Sequence, residues 1–357
     1  MVDTMALLPP FSRAARTPRT APRRPAAPPA PATGPPVGGL GLPADDDVLL
    51  DVPDDRLGPA LVAAAQGEHG PACALLATTR QQADWERRDR YVRRLAAFAR
   101  SRDEWFLRWS AAAPRDVDLL TVAAQLAVDR AWPSPARAEL LREVSPLITA
   151  AARGDDRDPV PWRIALDHAR GAGAGHKYFE ELWSAAVRRA PHHYGCHVAA
   201  LRYLGAAWHG AHQACLDFAD RAAQDAPAAS LVQALPARAV LAYLTDDCGP
   251  ELPRQRLDAA ADRAVALSAR FPEADPAPAS LRNQVMFVLV RLARWQDAFT
   301  QARLIGPYAT SFPWDRLSDD PLGLFLTTRD EVRAACLAPL SDHPRSERGP
   351  HAHSGEH

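Results

Sequence analysis

From Leu57 onward, apolar residues recur at i, i+3 and i+4 and show no sustained alternation, so the chain is confined to an all-helical fold. The clearest instance is 175–190, where Tyr178, Phe179, Leu182, Trp183, Ala186, Val187 and Ala190 form one stripe. The spacing predicts further helices over 195–207, around Val198, Leu201 and Leu204, and over 211–225, around Ala214, Cys215, Phe218, Ala219 and Ala222. Pro191 and Pro227 end helices where the chain must turn back, because proline lacks the donor that a helix interior needs. The stretch Pro161–Pro227 therefore reads as four short helices in two hairpins.

The same period continues on both sides. Leu57–Gln66 and Pro71–Thr79 flank a Gly67–Gly70 turn, and Asp84 is placed to cap a helix carrying Trp85, Val92, Leu95, Ala96 and Ala99 on one face. On that helix Arg87, Arg88, Arg90, Arg93 and Arg94, interleaved with Glu86 and Asp89, read as a solvated face. Helices are expected at 102–112, 116–130 and 134–152, the last two parted by Trp132-Pro133-Ser134-Pro135. Others follow at 228–244, 253–270, 279–293, 295–305 and 328–338. Residues 1–56, rich in Pro, Ala and Arg and closing on an acidic patch from Asp45 to Asp55, are expected to be a disordered arm. The helical domain then spans 57–340, and 341–357 form a polar, disordered tail.

A formal net charge of −1 over 357 residues gives no overall field toward nucleic acid or acidic lipid. The cysteines Cys73, Cys196, Cys215, Cys248 and Cys336 are odd in number and contain no C-x-x-C pair, which argues against a disulfide framework. With no apolar run of membrane-spanning length and no signal-peptide core, the expected compartment is cytoplasmic.

Three helix–turn–helix junctions, at Ala64–Ala72, Ala206–Ala214 and Leu292–Ala298, look alike. Pro191 and Pro227 are 36 residues apart, close to the period of about 34 in tetratricopeptide repeats, and Trp162 stands 29 before Pro191. These residues resemble a divergent tetratricopeptide-like array, although the glycine and tyrosine of that repeat's first helix are missing near 166 and 169. The resemblance implies stacked antiparallel hairpins forming an α-solenoid, because such hairpins cannot each bury a face alone. A globular all-α bundle is the alternative architecture.

A second resemblance covers about Leu57 to Cys336. The runs Asp84-Trp85-Glu86-Arg87-Arg88, Asp158-Pro159-Val160-Pro161-Trp162, Glu180-Glu181-Leu182-Trp183 and Tyr203-Leu204-Gly205-Ala206-Ala207-Trp208-His209-Gly210 look like those of an actinobacterial family regarded as helical and tetratricopeptide-like. That family commonly has Lys before the Trp of the last run and Cys-Gly-Ser after it. Here Ala207 and His209-Gly210-Ala211 stand at those positions. The resemblance implies a fold and offers no reaction.

Two candidate sites follow. Arg202, Tyr203 and Trp208 fall where a solenoid's inner face would receive a protein or peptide. His193 and His197, i and i+4 on one helix, together with His209 and His212 and with Cys196 and Cys215 nearby, are the alternative: a zinc site serving an enzyme or sensor. Cys215, at a small-residue packing position, reads better as a buried alanine substitute. The run Gly171–Lys177 lacks the Ser or Thr and the preceding strand of a phosphate loop, so it reads as an inter-helix turn. No complete catalytic motif is present. The expected function is a helical-repeat module binding a protein or peptide, without a cofactor and with self-association open to it.

Overall fold

The computed structural model describes residues 41–337, apart from 52, 207, 209 and 247. The Arg-rich part of the predicted arm and the predicted tail lie outside the described residues. The fold is all-α. Helices α1 (Leu57–Ala65), α2 (Gly70–Gln81), α3 (Trp85–Ser101), α4 (Glu104–Ala112), α5 (Val117–Ala131) and α6 (Arg137–Gly154) form its first half. Then come α7 (Val160–Gly171), α8 (His176–Arg189), α9 (Tyr194–Tyr203), α10 (His212–Asp225) and α11 (Leu235–Asp246). The last are α12 (Arg254–Ser268), α13 (Ala279–Arg291), α14 (Trp295–Ile305), the single turn α15 (Ser311–Trp314) and α16 (Pro321–Leu337).

Odd-numbered helices pack on one another in sequence: α3 on α5, α5 on α7, α7 on α9, α9 on α11, and α11 on α13. The even-numbered helices lie between them: α6 contacts α5 and α7, α8 contacts α7 and α9, α10 contacts α9 and α11, and α12 contacts α11 and α13. Helix α7 is the spine. Every one of its residues except Trp162 is buried, Ile164 and Ala165 belonging to the core on its N-terminal side and Leu166 and Ala169 to the core on the other. Asp158 starts it by accepting from the Val160 N–H at 2.8 Å. At its other end Gly173, at φ +70°, lets the Ala174 N–H reach back to the Ala169 carbonyl. Gly171–Lys177 is thus a helix-ending turn.

The same turn recurs. Gly67 (φ 85°), Ala83 (φ 53°) and Ala293 (φ 55°) occupy the left-handed position, and Glu68, Asp84 and Arg294 donate back to Ala63, Thr79 and Leu289. The expected junctions at 64–72 and 292–298 are of this kind. The junction after α9 is not: that helix ends at Tyr203 instead of near 207, because a tight turn about Gly205 follows. The chain then folds back so closely that a Cβ on Gly210 would sit 2.1 Å from the Leu204 carbonyl oxygen. Helix α16 begins at Pro321, ahead of the expected 328, since proline suits a first turn and the Asp320 carboxylate accepts from the Gly323 N–H.

Two features depart from the sequence reading. Arg88, placed on a solvated face, is fully buried, because it follows Trp85 by three residues and precedes Val92 by four on the apolar face. It is held by Asp158 at 2.6 Å and Asp118 at 2.7 Å. The acidic patch is also bonded to the helical body. Leu49–Leu50 (β1) pairs in parallel with Tyr308–Ala309 (β2). Asp51 accepts from Ser311, Asp54 from Tyr91 and Arg90, and Asp45 from Arg329. These residues strap the first helices to the last.

Alanine in the left-handed region is strained by roughly 1–2 kcal/mol, of which glycine's greater freedom in the unfolded chain offsets part. Replacing exposed Ala293 with glycine should raise unfolding free energy by about 0.5–1 kcal/mol, measured by urea denaturation.

Candidate functional site

Several odd-numbered helices turn polar side chains toward one cavity where they converge. Helix α7 presents Arg163, Asp167 and Arg170 at i, i+4 and i+7, all within a helix that is otherwise packed. Helix α5 and its C-cap contribute Gln125, Asp129 and Trp132 at the same spacing. Arg93 comes from α3, Arg202 from α9, and Arg238 and Asp246 from α11. Trp208, Phe312 and Arg316 complete a half-open cavity of ≈ 640 Å³. Six arginines therefore face three aspartates across its lining.

Neighbouring carboxylates and rings hold five of these arginines in place. Arg163 donates to Asp89 at 2.8 Å and to Asp167 at 3.5 Å, and Arg93 donates to the other Asp89 oxygen at 2.8 Å. Arg170 reaches Asp167 at 3.2 Å while its guanidinium lies 4.4 Å from the Trp132 ring and 4.7 Å from that of Trp208. Arg238 sits 3.8 Å over Phe312 and donates to Gln284. Arg202 has a weaker tie, 3.8 Å from Asp167. Three buried donors in this group, Arg93 Nε, Arg163 Nη2 and Arg170 Nε, find no hydrogen-bond partner among the described residues.

The electrostatics follow from this crowding. Burial raises the carboxyl of Asp167, but Arg202, Arg170, Arg163 and Arg93 outweigh that effect and hold it below the usual range. Burial keeps Asp129 and Asp246 above theirs. Arg202 is pushed down to about 9 by burial, the attraction of Asp167 being opposed by Arg238, Arg93 and Arg170. Burial likewise brings Arg238 down to about 10. Positive charge is in excess here, and an anion is what would relieve it.

Of the expected partner-binding residues, Arg202 and Trp208 line this cavity. Tyr203 turns the other way: it is buried, donates to the Ala174 carbonyl at 3.1 Å, and stacks on Phe179 at 3.7 Å. Of the cavity's other arginines, Arg93 was read as part of a solvated face, and Arg163, Arg170, Arg238 and Arg316 were not singled out by sequence. The signal for Arg163 and Arg170 was a charged i, i+4, i+7 stripe, Arg163-Asp167-Arg170, in a helix that starts at Pro159-Val160-Pro161 and ends at a glycine turn.

The expected metal ligands have other occupations. His193 Nδ1 caps α9 by accepting from the Cys196 N–H at 3.3 Å, which leaves the proton on Nε2, 4.0 Å from Glu86. His197 donates Nδ1–H to the His193 carbonyl at 3.0 Å and packs edge-on to Trp183. His212 lies by Tyr243, its Nε2 3.9 Å from Cys248 Sγ. His209 is outside the described residues. Among the described residues, no group of three or more His, Cys, Asp or Glu is arranged to hold a metal ion. Cys196 and Cys215 are buried, and all five cysteines are free thiols. No helix among the described residues is long and apolar enough to cross a membrane.

Searches against protein-family models, curated proteins and solved structures return no match for the chain.

Two expectations follow from these environments. Burial holds both His193 and His197 down to about 4, against about 6.5 when exposed. The folded state therefore binds fewer protons than the unfolded chain between those values, and stability present above pH 6.5 is lost as pH falls toward 4. Each histidine should cost roughly 2 kcal/mol at pH 5 relative to pH 7.5, and a His197→Leu variant should lose that much less over the same interval in denaturant titrations. Removing a crowded charge should stabilise the fold: Arg202→Gln is expected to raise the melting temperature, read by calorimetry.

Proposed function

We propose that the chain is a helical-repeat binding module, its hairpins stacked as in a tetratricopeptide-like solenoid, and that its inner face takes an acidic element of a protein or peptide partner. The alternation of helix contacts supports the architecture, since each odd-numbered helix from α3 to α11 meets the next odd one and the even helix between them. The recurrent left-handed turns after α1, α2, α7 and α13 support it too.

One observation carries the functional reading: six arginines gathered from five different elements of the inner face line one cavity, with only three aspartates among them. Structural ion pairing alone would be served by matched numbers, and unmatched guanidinium charge is costly at Arg163 and Arg170, the two of the six that are buried. Keeping it is worthwhile where a partner supplies the missing carboxylates. Trp132 and Trp208 add the rigid aromatic surface that binding sites favour, and both rings contact the Arg170 guanidinium. The reading assigns binding and no reaction.

The test compares two peptides of equal length, one rich in Asp and Glu and the other rich in Lys, by titration calorimetry with the full chain. The acidic peptide should bind, at least tenfold more weakly in Arg202→Gln, and its affinity should fall as salt rises from 50 to 300 mM, roughly as screening of charge requires. Equal binding of the two peptides, or none, would overturn the proposal.

A further inference from the structure

We infer that the acidic group this cavity is shaped to hold is a phosphate monoester, set among Arg93, Arg163, Arg170 and Arg202. The inference rests on the binding role proposed above and goes further, because it distinguishes one anion from another.

The count of charges is the first argument. Asp89, behind the lining, serves Arg93 and Arg163, Asp167 serves Arg163, Arg170 and Arg202, and with Asp129 and Asp246 they set four carboxylates against the six guanidiniums of the lining. One added carboxylate leaves that group short by a charge. A phosphate monoester carries about −1.5 to −2 at neutral pH in a single group.

Direction is the second. The unpartnered donors come from different sides: Arg93 Nε from α3, and Arg163 Nη2 and Arg170 Nε from positions two turns apart on α7. Arg163 is 1% exposed, so its Nη2 has no bulk water to turn to. A carboxylate is planar and is met best by one guanidinium fork, whereas the three terminal oxygens of a phosphate accept from several directions at once. Because Asp89, Asp167 and the paired indoles already fix these guanidiniums, little ordering is left to do on binding.

Size is the third. A cavity of ≈ 640 Å³ has far more room than a phosphate fills, and the rest of its lining includes Val128, Leu201, Leu241 and Phe312. An ester with an organic remainder uses that wall, and inorganic phosphate does not. The ester group is the same whether it belongs to a phosphorylated peptide or to a small molecule.

The experiment is a calorimetric titration of the full chain with five probes: a phosphoserine peptide, the same peptide with glutamate in its place, phenyl phosphate, its monoanionic methyl diester, and inorganic phosphate. The expected result is binding of the phosphoserine peptide or phenyl phosphate at least tenfold tighter than the glutamate peptide, the diester and inorganic phosphate. Whichever of the two binds tighter identifies the source of the ester. Arg202→Gln, and separately Arg316→Gln at the cavity lining, should each weaken that binding about tenfold with the helical circular dichroism unchanged. If the glutamate peptide binds as tightly as the phosphoserine peptide, and the diester as tightly as phenyl phosphate, the phosphate inference fails while the acidic-partner proposal stands. If no anionic probe binds, both fall.

Discussion

The guanidiniums of Arg93, Arg163, Arg170, Arg202 and Arg238 converge on one cavity from four helices, and most of the surrounding structure serves to hold them there. Taking such a cation out of water costs several kcal/mol unless carboxylates and hydrogen bonds replace the lost hydration. Asp89 and Asp167 supply part of that replacement, and they do so by being shared. Both depend in turn on α3 and α7 meeting in a fixed register. Below them, Arg88 joins Asp158 and Asp118, binding α3 to α5 and to the start of α7. The apolar cores on the two sides of α7 then lock that helix in place. The polar network fixes position, and the cores supply the driving force.

Local preference and global fold agree almost everywhere except at the cavity. Elsewhere, apolar stripes face cores, most prolines stand at helix ends with Pro146 inside α6 the exception, and Gly67 and Gly173 take left-handed turns. Along the cavity lining, arginine and aspartate occupy positions that helical periodicity assigns to the interior. Such a conflict is tolerated where a site needs it, and a well-packed protein offsets its cost elsewhere.

Most of the helices were legible in the sequence because their apolar spacing is regular, as in Trp85, Val92, Leu95, Ala96 and Ala99. Ends were less so. The last helix was expected from 328 but starts at Pro321, and the backward fold onto Leu204 leaves no trace in periodicity. The site was half legible. Arg202 and Trp208 were visible as exposed-type residues on a candidate inner helix. Arg163 and Arg170 were hidden because a charged residue on a short helix reads as solvated unless its neighbours in space are known. Tyr203 illustrates the converse: adjacent to Arg202 in sequence, it points into the core because successive helical residues diverge by about 100°. The histidines showed a ligand-like i, i+4 spacing, and the same spacing also lets His197 bond to the carbonyl of His193.

The strap formed by residues 45–54 has a consequence for how the molecule comes apart. Helices that mainly touch their sequence neighbours can fray one after another from either end. Here Asp51 bonds to Ser311 and Arg329 to the Pro43 carbonyl, contacts that span 260 and 286 residues. With residues 43–51 tied in this way to Ser311 and Arg329, the first and last described helices are coupled and do not open independently. The same closure delays maturation during synthesis, since the first helices emerge and pack long before the residues that complete β2 and α16 exist.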